Sequence, residues 1–266
     1  MPLLRTESAS VEYACYGRGK PVTVFAHGVS ASIPETRPLA SGIAGTRVFL
    51  HFRAHGASEA FDDRYDYPVL AGDLRAVADA TGATQALGVS MGSAALLHLL
   101  LDTPERFDRA VLFLPAILDQ PRTDVGFERL ERMADLIDAD EADELAAELA
   151  QDLPEDLRDR PHVGRFVRDR AESLVGTQLG SLMRVLPTQV PMKDRSELAR
   201  LTLPMLVIGQ EGDDVHPASV AKEIAAELPN AQLEVFSEAS ALWDDRTALR
   251  RLLADFLNDD EGRQDR

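Results

Sequence analysis

Gly88-Val89-Ser90-Met91-Gly92 fits the spacing G-x-S-x-G, in which a serine hydroxyl is raised on a sharp strand-to-helix turn and can attack an acyl carbon. Glycine two residues to either side suits that turn, because side chains there would collide with its strained backbone. A second group of reactive side chains lies in Gly209-Gln210-Glu211-Gly212-Asp213-Asp214-Val215-His216-Pro217, with two adjacent aspartates and a histidine. A serine hydroxyl is a poor nucleophile until an imidazole takes its proton. The chain holds six histidines that could do so: His27, His51, His55, His98, His162 and His216.

Short apolar runs alternate with amphipathic stretches along most of the chain, the pattern of an α/β fold with a mostly parallel sheet and helices on both faces. Pro21–Ala26 and Arg47–Phe52 read as buried strands, the first running into His27-Gly28. A helix is expected from about Pro34 to Ile43 and another from about Val69 to Ala80. Gln85–Val89 reads as a strand that breaks at Ser90 into the apolar helix Ala94–Leu100, whose N-terminal amides face any charge developing at the serine. After the strand Arg109–Pro115 come roughly eighty residues of nearly pure helix, and their apolar positions Phe127, Leu130, Ala134 and Ile137 form one face. Strand and helix alternate again from Pro204 to Leu257. The expected division is core 1–118, a helical cap or lid 119–195, core 196–257 and a disordered polar tail 258–266.

These residues resemble the α/β-hydrolase family, and the resemblance covers nearly the whole chain. His27-Gly28 is similar to the family's oxyanion segment, which implies that the backbone amide of Val29 acts together with that of Met91. Arg53-Ala54-His55-Gly56-Ala57-Ser58 resembles its Arg-Gly-His-Gly-x-Ser loop, although His51 stands where an aspartate is usual. Residues 123–191 match its cap. Gly209–Pro217 resembles the loop carrying the triad acid, with one extra residue. Counting back from Pro217 assigns the acid to Asp213, and Asp214 falls where a proline is common.

The same resemblance exposes a gap. The family draws its base from a Gly-His pair after the last strand, and there this chain has Ser240 and Ala241, with no histidine beyond His216. An engineered substitution, a relocated base and a loss of serine hydrolysis are the three explanations. Among substitute bases His216 is the best candidate, three residues beyond Asp213 on the same loop. The other histidines read as braces in turns (His27, His55), a strand end (His51), a helix position (His98) and a solvated side chain (His162).

Two functional expectations follow. One is an enzyme of esterase or lactonase type with Ser90 and Asp213 as catalytic residues and an incomplete triad, acting on a small, largely apolar ester, lactone or carbonyl compound. The other is an inactive ligand-binding relative, or a lyase or cyclase that uses the oxyanion hole without an acyl-enzyme. No metal or organic cofactor is implied, and no phosphate-binding glycine motif is present. A net charge of −17 disfavours nucleic acid and anionic membrane surfaces as partners. The single Cys15 and the absence of a leader or of a long apolar run point to the cytoplasm.

Overall fold

The computed structural model describes residues 1–6, 9–60, 65–151, 153–238 and 241–259. The apolar runs become β1 (Leu3–Arg5), β2 (Ser10–Gly17), β3 (Val22–Ala26), β4 (Thr46–Leu50), β5 (Gln85–Val89), β6 (Arg109–Phe113), β7 (Met205–Gln210) and β8 (Ala231–Phe236). They form one eight-stranded sheet in the order β1-β2-β4-β3-β5-β6-β7-β8. Only the β1–β2 and β2–β4 pairings are antiparallel. In register, Ala26 lies opposite Gly88, Val89 opposite Phe113, and Phe113 opposite Ile208. The carboxyl ends of β3, β5 and β7 therefore open at the same edge of the sheet, where α/β folds place their ligands.

Helices cover both faces: α1 (Ile33–Thr36), α2 (Tyr67–Thr81), α3 (Met91–Asp102), α4 (Val125–Asp138), α5 (Ala142–Ala150), α6 (Glu155–Arg158), α7 (Pro161–Leu174), α8 (Leu179–Val185), α9 (Ala218–Glu227) and α10 (Arg246–Asn258). The helix expected over 34–43 is shorter. It ends at Thr36 and continues only as a 3₁₀ turn, Arg37–Ala40. Pro38 has no amide hydrogen for the carbonyl four residues back, so the α pattern cannot propagate. α2 starts on Asp66, whose carboxylate accepts from the Val69 amide at 2.9 Å, and stops at Gly82 in the left-handed conformation (φ 66°).

The helical stretch between β6 and β7 resolves into α4 to α8. Its breaks include Asp140 and Gly176, both at positive φ, and Pro154 and Pro161, which open α6 and α7. Leu130, Met133, Ala134 and Ile137 of α4 are buried, and they join the same apolar cluster as the β3, β6 and β7 side chains Val24, Leu112 and Val207. A second cluster on the opposite face unites Phe25, Phe113 and Ile208 with α10 through Leu249, Leu253 and Phe256. Asn258, expected to begin a loose tail, instead closes α10 and bonds the Ala44 amide and the Gly42 carbonyl. Asp259 pairs with Arg109 at 3.1 Å; the rest of that expected tail, 260–266, lies outside the described residues. Among the described residues no helix is long and apolar enough to cross a membrane.

Candidate active site

Ser90 joins β5 to α3 with φ 51° and ψ −110°, a strained conformation for a residue with a side chain. The structure accounts for both glycines of the motif. A Cβ on Gly88 would stand 2.4 Å from the Gly92 carbonyl oxygen, and one on Gly92 would stand 2.3 Å from the Ala26 oxygen. The turn is held by the Ser90 amide on the Phe113 carbonyl (3.0 Å) and by the Ser93 hydroxyl on the Gly88 carbonyl (2.7 Å). Nine of the twelve residues of α3 are buried, so the helix cannot shift to relieve the strain.

His216 occupies the place between Ser90 and Asp213. Its Nδ1 lies 2.8 Å from Asp213 Oδ2, and its Nε2 lies 2.9 Å from Ser90 Oγ. An incomplete array is therefore not what the structure holds, although the imidazole comes from an unexpected place. The loop after β7 turns tightly because Asp213 Oδ1 accepts from the amides of both Val215 (3.0 Å) and His216 (2.9 Å). That turn folds the imidazole back over its own acid, which residue spacing alone did not reveal. Gln210 Nε2 also donates to Asp213 Oδ2 at 2.8 Å.

Burial of Asp213 raises its pKa, but the neighbouring His216 charge and the hydrogen bonds from His216 and Gln210 outweigh that and hold the carboxyl well below the usual carboxylate range. An ionised carboxylate can only accept, so the proton sits on Nδ1 and leaves Nε2 free to accept from the serine hydroxyl.

Ala241 is fully buried, in the cluster with Phe113, Leu114, Phe236 and Leu249. Ser240 lies outside the described residues. His98 bonds the Pro191 carbonyl at 2.8 Å, and His162 is exposed on α7. Asp214 is exposed and contributes its backbone carbonyl.

His27, His51 and His55 form a buried cluster of edge-on and tilted rings behind the segment that follows β3. His27 Nδ1 donates to the Gly28 carbonyl at 2.7 Å, fixing the peptide that carries the Val29 amide. His55 bonds the Val29 carbonyl, and the Ile33 amide donates to His51 Nε2 at 2.8 Å. Glu12 of β2 supplies a carboxylate to this cluster, accepting from His51 Nδ1 at 2.7 Å and from the Ala57 amide at 2.9 Å. Glu12 was not legible as part of this network; the one hint was the missing acid at position 51. Burial pushes the His27 and His55 imidazoles below their ordinary range, so both are neutral braces. Met91 opens α3, so its amide has no acceptor within the helix. Gly28 packs against Ser90, with 3.4 Å between a Cβ built on the glycine and the Ser90 Cβ. The segments carrying the Val29 and Met91 amides thus meet at the serine.

A cavity of about 600 Å³ opens over Ser90 and His216. Its walls are mostly apolar, with Ile117, Met133, Leu153, Phe166, Met183 and Leu186 from the inserted helices and the chain leading to them, and Leu242 and Trp243 beyond β8. Leu182 of α8 is fully buried and is not part of the lining. Two cations reach the cavity. Arg170 of α7 donates to Ser30 Oγ at 2.5 Å and sits 3.6 Å from Glu35; Arg122 is engaged by backbone and by Asp124. Among the described residues no group of three or more histidine, cysteine or acidic side chains is placed to hold a metal ion.

Comparison with known proteins agrees with this architecture. Residues 21–242 match the model of the alpha/beta hydrolase fold family. A 2-hydroxy-6-oxononadienedioate/2-hydroxy-6-oxononatrienedioate hydrolase of Cupriavidus pinatubonensis is 28% identical over 190 residues, covering 64% of this chain and 61% of that protein, less than two thirds of its length. The AB hydrolase superfamily protein YisY of Bacillus subtilis is 24% identical over 259 residues, covering 91% of this chain and 93% of that one. In fold, the enol-lactonase of Burkholderia xenovorans superposes with a TM-score of 0.81 at 20% identity, covering 97% of this chain and all of that one (100%). With most of its length matched and the eight-stranded sheet in place, this chain belongs to the alpha/beta hydrolase fold family.

Proposed function

We propose that the protein is a serine hydrolase of small, largely apolar esters or lactones, with Ser90 as nucleophile, His216 as general base and acid, and Asp213 as the group that orients and stabilises the imidazole. The observation that carries this reading is the unbroken chain of hydrogen bonds from Asp213 through His216 to Ser90 Oγ. His216 Nε2 takes the hydroxyl proton as Oγ bonds to the acyl carbon, and returns it to the departing alcohol oxygen as the ester C–O bond breaks. Water, deprotonated by the same nitrogen, then bonds to the acyl carbon, and the proton passes to Ser90 Oγ as the ester bond to the serine breaks and the acid leaves. The Val29 and Met91 amides receive the oxyanion in each half of the cycle. The substrate class rests on the apolar walls and the size of the cavity, which is that of a small-molecule site. The names of the Cupriavidus hydrolase and the Burkholderia enol-lactonase support hydrolytic chemistry.

The test is intact-mass labelling with a broad fluorophosphonate, which reports an activated serine without the natural substrate. One adduct per chain is expected on the wild type and none on Ser90→Ala. A wild type labelled no faster than Ser90→Ala would rule out the acyl-enzyme mechanism and leave ligand binding or chemistry without a covalent intermediate.

A further inference from the structure

The loop that carries both acid and base is gripped from its outer side by one side chain, Arg122, which lies between β6 and α4 at the root of the inserted helices. The Arg122 side chain is only 5% exposed. One terminal nitrogen donates to the Val215 carbonyl, and the other donates to the Asp214 carbonyl at 2.9 Å and to Asp124 Oδ1 at 2.8 Å. The Asp214 carbonyl belongs to the same peptide unit as the Val215 amide, and the Val215 carbonyl to the same unit as the His216 amide. Those are the two amides that Asp213 Oδ1 accepts. Two consecutive peptide planes are thus held between a carboxylate on one side and a guanidinium on the other, with charge-assisted bonds at both ends.

The first turn of α4 closes the grip. Asp124 caps that helix by accepting from the Phe127 amide at 3.0 Å while it pairs with Arg122. Gly126 comes so near the loop that a Cβ there would stand 2.1 Å from the Asp214 oxygen and 2.2 Å from Arg122. The Arg122 amide also donates to the Pro187 carbonyl at 2.8 Å, tying together both ends of the helical insertion.

We propose that Arg122 is a positioning residue for the general base, so that the inserted helices, besides walling the cavity, set the place of His216 against Ser90. The proposal rests on the serine-hydrolase reading above. Its physical reason is that a loop bearing acid and base together must be held to within a fraction of an ångström, and a rigid planar fork with donors on separate nitrogens fixes the spacing of two carbonyls where the single rotatable nitrogen of an ammonium does not.

Fluorophosphonate labelling of the wild type comes first, because a serine that does not label overturns the hydrolase reading and this proposal with it. With labelling established, kcat and KM on a neutral aryl ester are measured per titrated active site for Arg122→Met and Arg122→Lys, alongside their thermal unfolding. Both variants are expected to lose kcat, by about 100-fold for Arg122→Met, with KM within about threefold of the wild type. Methylguanidinium is expected to restore part of the rate to Arg122→Met and none to His216→Ala. Wild-type kcat in folded Arg122→Met, or a rise in KM alone, would overturn the proposal. If Arg122→Met does not fold, the same comparison on Arg122→Lys decides, with unchanged kcat the overturning result.

Discussion

His216→Ala is expected to lower kcat/KM on any ester the protein accepts by about 10⁴- to 10⁶-fold, the scale on which serine hydrolases lose rate when their imidazole is removed. Among the described residues His216 Nε2 is the one imidazole nitrogen that bonds Ser90 Oγ, and the neighbouring His27 and His55 are buried and committed to carbonyl groups. KM should change little, because the cavity walls that bind an apolar acyl group are untouched. Returning an imidazole to the position where the resemblance placed one should not repair the loss. Ala241 is fully buried among Phe236, Leu249 and Leu114, so a histidine there must displace packed side chains, at a cost of about 1–3 kcal/mol in stability. Steady-state kinetics on His216→Ala and on the His216→Ala, Ala241→His double variant check this. A His216→Ala enzyme within tenfold of the wild type would remove His216 from the mechanism.

Asp213→Asn is expected to reduce kcat by about 10⁴-fold, as the equivalent exchange does in serine proteases, where it leaves the histidine in the wrong tautomer. The amide that replaces one carboxylate oxygen is a donor. Turned toward His216 Nδ1 it places the imidazole proton on Nε2, where it cannot accept from Ser90. Turned toward the loop it faces the Val215 and His216 amides and orphans two donors, each worth about 1–3 kcal/mol when buried. The same carboxyl links activity to acid stability. Its pKa in the folded protein lies well below that of the unfolded chain, so its stabilising contribution is complete above the ordinary carboxylate range near pH 4. That contribution is lost as pH falls through the depressed folded value. Urea midpoints of wild type and Asp213→Asn, compared at pH 7 and at pH 3, should therefore differ most at pH 7. A gap that widens in acid would mean that Asp213 is not held ionised.

Several parts of this arrangement were open to inspection in the chain itself, and each for a local reason. The strands could be placed because burial on both faces demands unbroken apolar runs, as in Arg109–Phe113 and Met205–Gln210. The elbow could be placed because only glycine fits at positions 88 and 92 once the serine turn is made. Asp213 could be picked out because Gly209–Pro217 resembles the family loop that carries an acid, counted back from Pro217. Local signals failed where a distant partner decides the outcome. Asn258 is drawn out of the expected tail by the backbone of residues 42 and 44, whereas the early end of the helix expected to reach Ile43 has a local cause in Pro38.

What the sequence determined by itself is the fold class, and, through the resemblance its motifs carry, the candidates Ser90 and Asp213 and the alanine at position 241 where that resemblance expects a histidine. Tertiary structure alone decided which histidine answers Ser90 and what holds it there. Residues 90 and 216 stand far apart in the chain, and their separation of 2.9 Å follows from the register of β5, β6 and β7. It also follows from a turn that Asp213 closes from one side and Arg122 from the other. A three-residue spacing between acid and base has no fixed meaning until those two charged groups set the direction of the peptides between them.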